Sequence, residues 1–111
     1  MGSPTPEERQ IAPSVAWAEL EAGTSRLLDL RSRAERATLG YPAGSKKVSL
    51  VMHAVRPDRS AIYLCQHAVR SKLPWRRGAR EVAGGYKAWT EAGVPAVPGS
   101  RSSDRRPRPE D

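Results

Sequence analysis

Apolar residues occur along the chain in short clusters, and the clusters alternate in character. Ser14 to Ala22 (SVAWAELEA) predicts a helix, with Val15, Trp17 and Leu20 available for packing and Gly23 as its stop. Leu27 to Leu30 (LLDL) is a brief apolar run interrupted only by Asp29, which predicts a buried strand. Ser32-Arg33-Ala34-Glu35 then spells a capping box: serine oxygen and glutamate each satisfy an orphan backbone N–H, opening a helix that ends near Gly40. Lys47 to Met52 (KVSLVM) and Ala61 to Cys65 (AIYLC) predict two further strands. Glu81 to Ala83 predicts a last short strand before Gly84-Gly85, and Tyr86 to Glu91 a helix stopped by Gly93. Strands that alternate with helices imply an α/β domain on a mainly parallel sheet.

The ends of the chain differ from this middle. Residues 1–9 and 98–111 offer almost nothing apolar to offset the entropy of ordering them, so they predict a flexible N-terminal tail and a disordered, mixed basic and acidic C-terminal tail around a domain at 10–97. With 111 residues and 38% hydrophobic content, only one core is expected. Val48 to Val55, the longest uncharged run near the centre, is too short to span a bilayer. Glu7 and Glu8 in the first ten residues argue against a secretory leader. A single cysteine and two histidines exclude an internal disulfide and make a structural metal improbable, so a reducing cytoplasm is the expected compartment.

Charge adds a bias without naming a ligand. The formal net charge is +7, with 19 Lys and Arg against 12 acids, a balance that attracts anions. Between Arg59 and Arg80 the bases Arg59, Arg70, Lys72, Arg76, Arg77 and Arg80 meet no acid. In the C-terminal tail, Arg101, Arg105, Arg106 and Arg108 are offset by Asp104, Glu110 and Asp111, and read as a solvated charge run. Trp75, beside Arg76 and Arg77, is the plausible surface aromatic, while Trp17 and Trp89 read as packing residues. No nucleic-acid motif accompanies the charge, so nucleic-acid binding is not expected.

The only cysteine lies inside the basic window. Cys65 falls at the predicted C-terminal end of a strand, where parallel sheets bind ligands, and is followed by Gln66, His67, Ala68, Val69, Arg70 and Ser71. A helix opening near Ser71 would aim free N–H groups at the sulfur, and with Arg70 nearby these features favour a nucleophilic thiolate. The pattern alone describes a buried, inert strand cysteine more plainly.

Four segments in order shift that reading. Leu28 to Glu35 (LDLRSRAE) is like a "DxR…E" stretch, and Gly40-Tyr41-Pro42-Ala43-Gly44 is like a "GHIPGA" turn. Cys65 with QHAVRS is like "CxxGxRS", and Gly84-Gly85-Tyr86-Lys87-Ala88-Trp89 with Gly93-Val94-Pro95 is like "GG…W…GxP". Over most of residues 10–97 the chain therefore resembles the single-domain rhodanese (thiosulfate sulfurtransferase) family. The resemblance implies a rhodanese-like α/β fold and a Cys65 that takes sulfane sulfur from a small anionic donor such as thiosulfate. Cys65 would carry it as a persulfide to a nucleophilic thiol or protein acceptor, with no cofactor and no metal. It implies a sulfur cradle formed by the backbone of residues 66 to 70 together with Ser71, with Arg70 inside it or at its edge, and with Arg70, Lys72 and nearby arginines drawing in the donor. Asp29, Arg31 and Glu35 would support it: Asp29 by anchoring backbone, Arg31 by an ion pair, and Glu35 by facing Arg70. His67 could bind the donor or move a proton, a role the motif does not supply. From Cys65 to Arg70 the loop is C-x4-R; related phosphatases use a longer C-x5-R loop that encloses a whole phosphate, so the shorter ring suits a single sulfur.

Three departures bear on activity. Ala68 stands where the family has glycine, so a positive φ there would be strained. Tyr41 replaces a histidine and is expected to matter little. Only His53 to Ser60 separate two predicted strands, and Ser71 to Arg80 the next two, whereas a parallel crossover normally takes a dozen or more residues. Trimmed crossovers would leave apolar surface uncovered, which points towards a homodimer. Two other readings remain: a catalytically weak rhodanese-fold binding or regulatory module that docks an acidic partner through the 59–80 window, and a redox-sensing thiol.

Overall fold

Every residue of the strand Leu27–Asp29 is buried, and so is every residue of Ile62–Leu64. Strands closed on both faces read as unbroken apolar runs, as those of a covered parallel sheet do. The computed structural model describes residue 2 and residues 4–100; the tail arginines Arg101, Arg105, Arg106 and Arg108 lie outside them. After a 3-10 turn at Glu7–Arg9, the elements in chain order are β1 (Gln10–Ile11), α1 (Pro13–Ala22), β2 (Leu27–Asp29) and α2 (Arg33–Leu39). β3 (Tyr41–Pro42), β4 (Lys46–Lys47), α3 (Leu50–Val55) and β5 (Ile62–Leu64) follow. The chain then forms α4 (Lys72–Arg76), β6 (Arg80–Val82), α5 (Gly85–Glu91) and β7 (Ala96–Val97).

Five strands make one sheet in the order β1-β6-β5-β2-β4, with every pairing parallel. Alternating side chains along its strands feed two cores. Leu27, Ile62, Leu64 and Val82 pack with Ala16 of α1 and with Tyr86 and Trp89 of α5. Trp89 is fully buried, meets Trp17 edge-to-face at 6.4 Å, and donates its indole N–H to the Pro95 carbonyl at 3.0 Å. On the opposite face Leu28, Leu30, Ala61, Tyr63 and Ala79 pack with Val48 and Leu50. The two proline-bearing turns of the sequence meet as the antiparallel pair β3–β7, which Ala43 N–H to Pro95 O extends at 3.1 Å.

One predicted strand is corrected. The segment 47–52 is not a strand: only Lys47 stays in β4, and Leu50 onward is α3. Ser49 decides this locally, because its hydroxyl accepts the Met52 N–H at 3.2 Å and caps the helix. The apolar run misled because Val51, Met52 and Val55 face solvent, Val51 at 73% exposure. The crossover to β5 therefore runs through residues 48–61 and carries a helix, so it is not trimmed. The second connection is short as expected, since α4 has one turn and a half with Pro74 in its first turn.

Candidate active site

Strand β5 delivers Cys65 to its C-terminal end at the middle of the sheet, where the residue is 1% exposed. The start of α5 shapes the loop that follows. Tyr86 N–H donates to the Cys65 carbonyl at 2.8 Å and Lys87 N–H to the Gln66 carbonyl at 3.1 Å. So close an approach requires glycine at 85: its φ is +68°, and a Cβ there would lie 2.5 Å from Cys65 O and 2.7 Å from Gln66 O. With these carbonyls tied to α5, the chain turns through Ala68, whose φ of +59° is the one positive value at a non-glycine among the described residues.

The backbone N–H groups of residues 66 to 70 meet no protein acceptor among the described residues. A row of unpaired backbone donors following a thiol in the chain is the material from which a backbone anion receptor, a nest, is built. The first amides of α4 behave differently from the sequence expectation. Lys72 N–H is taken by Val69 O and Leu73 N–H by Arg70 O, each at 3.2 Å, so the loop supplies the free donors instead of the helix.

Side chains lock this loop from three sides. Arg70 donates from both terminal nitrogens to Glu35, at 2.7 and 2.6 Å, a bidentate fork that joins the loop to α2. Hydrogen bonding from Arg70 holds the Glu35 carboxyl down at about 2. The same pairing raises Arg70, with a smaller contribution from Cys65. Glu35 also closes the capping box with Ser32. Gln66 Oε1 accepts from Arg31 at 3.1 Å. Arg31 is wholly buried, donates to both oxygens of Asp29 and to Gly40 O, and lies 4.2 Å from the Tyr86 ring centroid. Asp29 also accepts the Arg31 backbone N–H and Arg36, and it reaches the loop only through Arg31.

Beneath the sulfur, Ser71 Oγ lies 3.6 Å from Cys65 Sγ and donates to Glu81 Oε2 at 2.5 Å. Glu81 is fully buried, and its other oxygen accepts Gln10 at 2.6 Å and Lys72. The hydroxyl has one proton, and Glu81 holds it, so Ser71 faces Cys65 with a lone pair. Lys72 is thus half-buried in an ion pair, where the sequence placed it as a free attractor of anions. His67 and Val69 point outward, Val69 at 71% exposure, and no side-chain hydrogen bond joins His67 to the site. Trp75 is no open platform: Arg9 and Lys72 lie over its ring at 5.0 and 5.1 Å. The Tyr41 ring carries Arg36 at 4.0 Å.

Glu81 and Gln10 are the site residues whose roles sequence reasoning passed over. The available signal was Glu81 itself, an acid in a predicted strand of a parallel sheet, where burial demands partners.

No family model matches the sequence, and no curated protein matches it. Solved structures do. A rhodanese-related protein from Thermoplasma volcanium superposes with a TM-score of 0.65 at 23% identity, covering 80% of this chain and 97% of that one. A thiosulfate sulfurtransferase from Pseudomonas aeruginosa gives 0.65 at 20% identity, covering 87% of this chain but 22% of the longer enzyme. A Rhodopseudomonas palustris protein of unknown function, described as a possible tyrosine phosphatase, gives 0.64 at 20% identity over 82% and 89%. The fold held in common is rhodanese-like: a parallel five-stranded sheet with flanking helices.

Proposed function

We propose that this rhodanese-fold domain is a sulfurtransferase working through a persulfide on Cys65. The Cys65 thiolate attacks the outer sulfur of thiosulfate; the new S–S bond forms as the old one breaks, and sulfite leaves with the electron pair. A nucleophilic acceptor, a thiol or cyanide, then takes the outer sulfur and returns the thiolate. No net redox change or cofactor is required.

The observation that carries this reading is the row of unpaired N–H groups at 66 to 70 beside Cys65. These donors match the terminal sulfur of a persulfide anion and need no reorganisation when it forms. Arg70 argues against phosphate hydrolysis at this loop. The end-on face of its guanidinium, carrying both terminal nitrogens, is committed to Glu35 and is not open to a phosphate. Near-complete burial of Cys65 favours a second reading, a binding or regulatory module whose thiol does not turn over. Steady-state transfer from thiosulfate to cyanide separates the two. Turnover abolished in Cys65→Ser supports the enzyme; a folded protein without turnover supports the module.

A further inference from the structure

The basic window of the sequence splits into two sites in space. Arg70 and Lys72 stand at the C-terminal end of the sheet, each paired with a carboxylate. Arg59 and Arg80 go to the opposite end, because β5 and β6 are parallel and both arginines stand at strand beginnings. Arg9, which precedes β1, arrives at the same edge. Arg77 joins them from the end of α4. Together with Pro4 and Gly78 these four arginines line a pocket of about 500 Å³, and no carboxylate among the described residues lines it.

Like charges that converge repel each other, so their convergence needs a cause. Only Arg80 has a carboxylate partner among the described residues, Glu19 at 2.9 Å. Arg9 and Arg59 are fixed by neutral groups instead. Arg9 donates to the carbonyls of Trp75 and Ala79 and lies over the Trp75 ring. Arg59 donates from Nε to Arg77 O at 3.0 Å, running close over Gly78, where φ is +99° and a Cβ would come within 3.2 Å of that nitrogen. Anchoring through Nε leaves both terminal nitrogens of Arg59 free, and Arg77 makes no side-chain hydrogen bond among the described residues. Arg59 is thus held by a carbonyl with its terminal fork unspent, and Arg77 brings an unpaired guanidinium to the same pocket, an arrangement that suits the oxygens of a multiply charged phosphate.

We propose that this pocket binds a small molecule bearing two or more phosphates. Its volume falls in the range of small-ligand sites and exceeds what one phosphate fills, while the free forks of Arg59 and Arg77 suit adjacent phosphate groups. The site is independent of Cys65, which lies at the other end of β5.

The test is calorimetric titration with inorganic tripolyphosphate at fixed chloride. Saturable one-to-one binding is expected, unchanged in Cys65→Ser and weakened more than about tenfold in a double variant, Arg59→Ala with Arg77→Ala. Both arginines are exposed, so this variant keeps its fold. Lys46→Ala with Lys47→Ala removes the same charge from exposed β4 and is expected to leave binding intact. Equal weakening in that control, or no saturable binding, overturns the pocket. A short single-stranded RNA that binds more tightly than tripolyphosphate would also overturn it, in favour of a nucleic-acid surface.

Discussion

The two ends of the parallel sheet are both rich in arginine and lysine, and they use that charge in opposite ways. At the C-terminal end Arg70 and Lys72 are paired with Glu35 and Glu81, and the unspent donors are backbone amides around Cys65. At the N-terminal end Arg9 and Arg59 hang on carbonyls, and the unspent donors are guanidiniums. Charge counted in a sequence is therefore not charge available to a ligand. At one end it serves as mortar for a loop; at the other it faces a cavity.

Removing Asp29 should break the first end most severely. Asp29 and Arg31 are both wholly buried, and a lone Arg31 would keep its charge without a carboxylate. Asp29→Ala is expected to cost about 3–5 kcal/mol in chemical denaturation. The loop should loosen with it, since Gln66 is held by Arg31.

Glu35 comes next. Glu35→Gln leaves the capping box a polar partner but takes the anion from Arg70, so sulfur transfer should fall about tenfold with a stability loss of only about 1 kcal/mol. Undiminished transfer and stability would remove Glu35 from the cradle. The sign of the pH effect follows from a carboxyl held below its ordinary 4.5, at about 2. Its stabilisation is complete above pH 4.5 and is lost as pH falls through 2. Wild type and Glu35→Gln should accordingly differ by a constant amount in neutral denaturation curves and converge in acid.

A smaller effect, of unusual sign, is expected at Ala68. Alanine to glycine ordinarily destabilises, but here it relieves a φ of +59°. Ala68→Gly should be neutral to about 1 kcal/mol more stable, with sulfur transfer equal or faster. The smallest effect belongs to the far end. Arg77→Ala should change stability by less than about 0.5 kcal/mol and leave persulfide formation alone. Thermal melts and the transfer assay check both variants.

Much of the Cys65 end was legible in the sequence because its signals are local. The Ser32–Glu35 box and the Gly84-Gly85 pair each act within a few residues, and Ala68 stood out as the loop position where glycine belongs. What failed was non-local or depended on one short side chain. KVSLVM reads as a strand until the Ser49 hydroxyl caps the next turn, and that one helix turns a seemingly trimmed crossover into an ordinary one. The role of Glu81 depends on Gln10 and on the adjacent Ser71 and Lys72 arriving from two other segments. The splitting of the basic window depends on strand direction, which composition does not carry.

The most direct test of the cradle is the intact mass of the purified protein after incubation with thiosulfate, beside a Cys65→Ser control. A gain of about 32 Da, reversed by cyanide and absent in the control, is the predicted result, since one sulfur is carried covalently on the thiol. A folded protein that shows no adduct would contradict the account: the free amides of residues 66 to 70 would then belong to a loop that holds no sulfur.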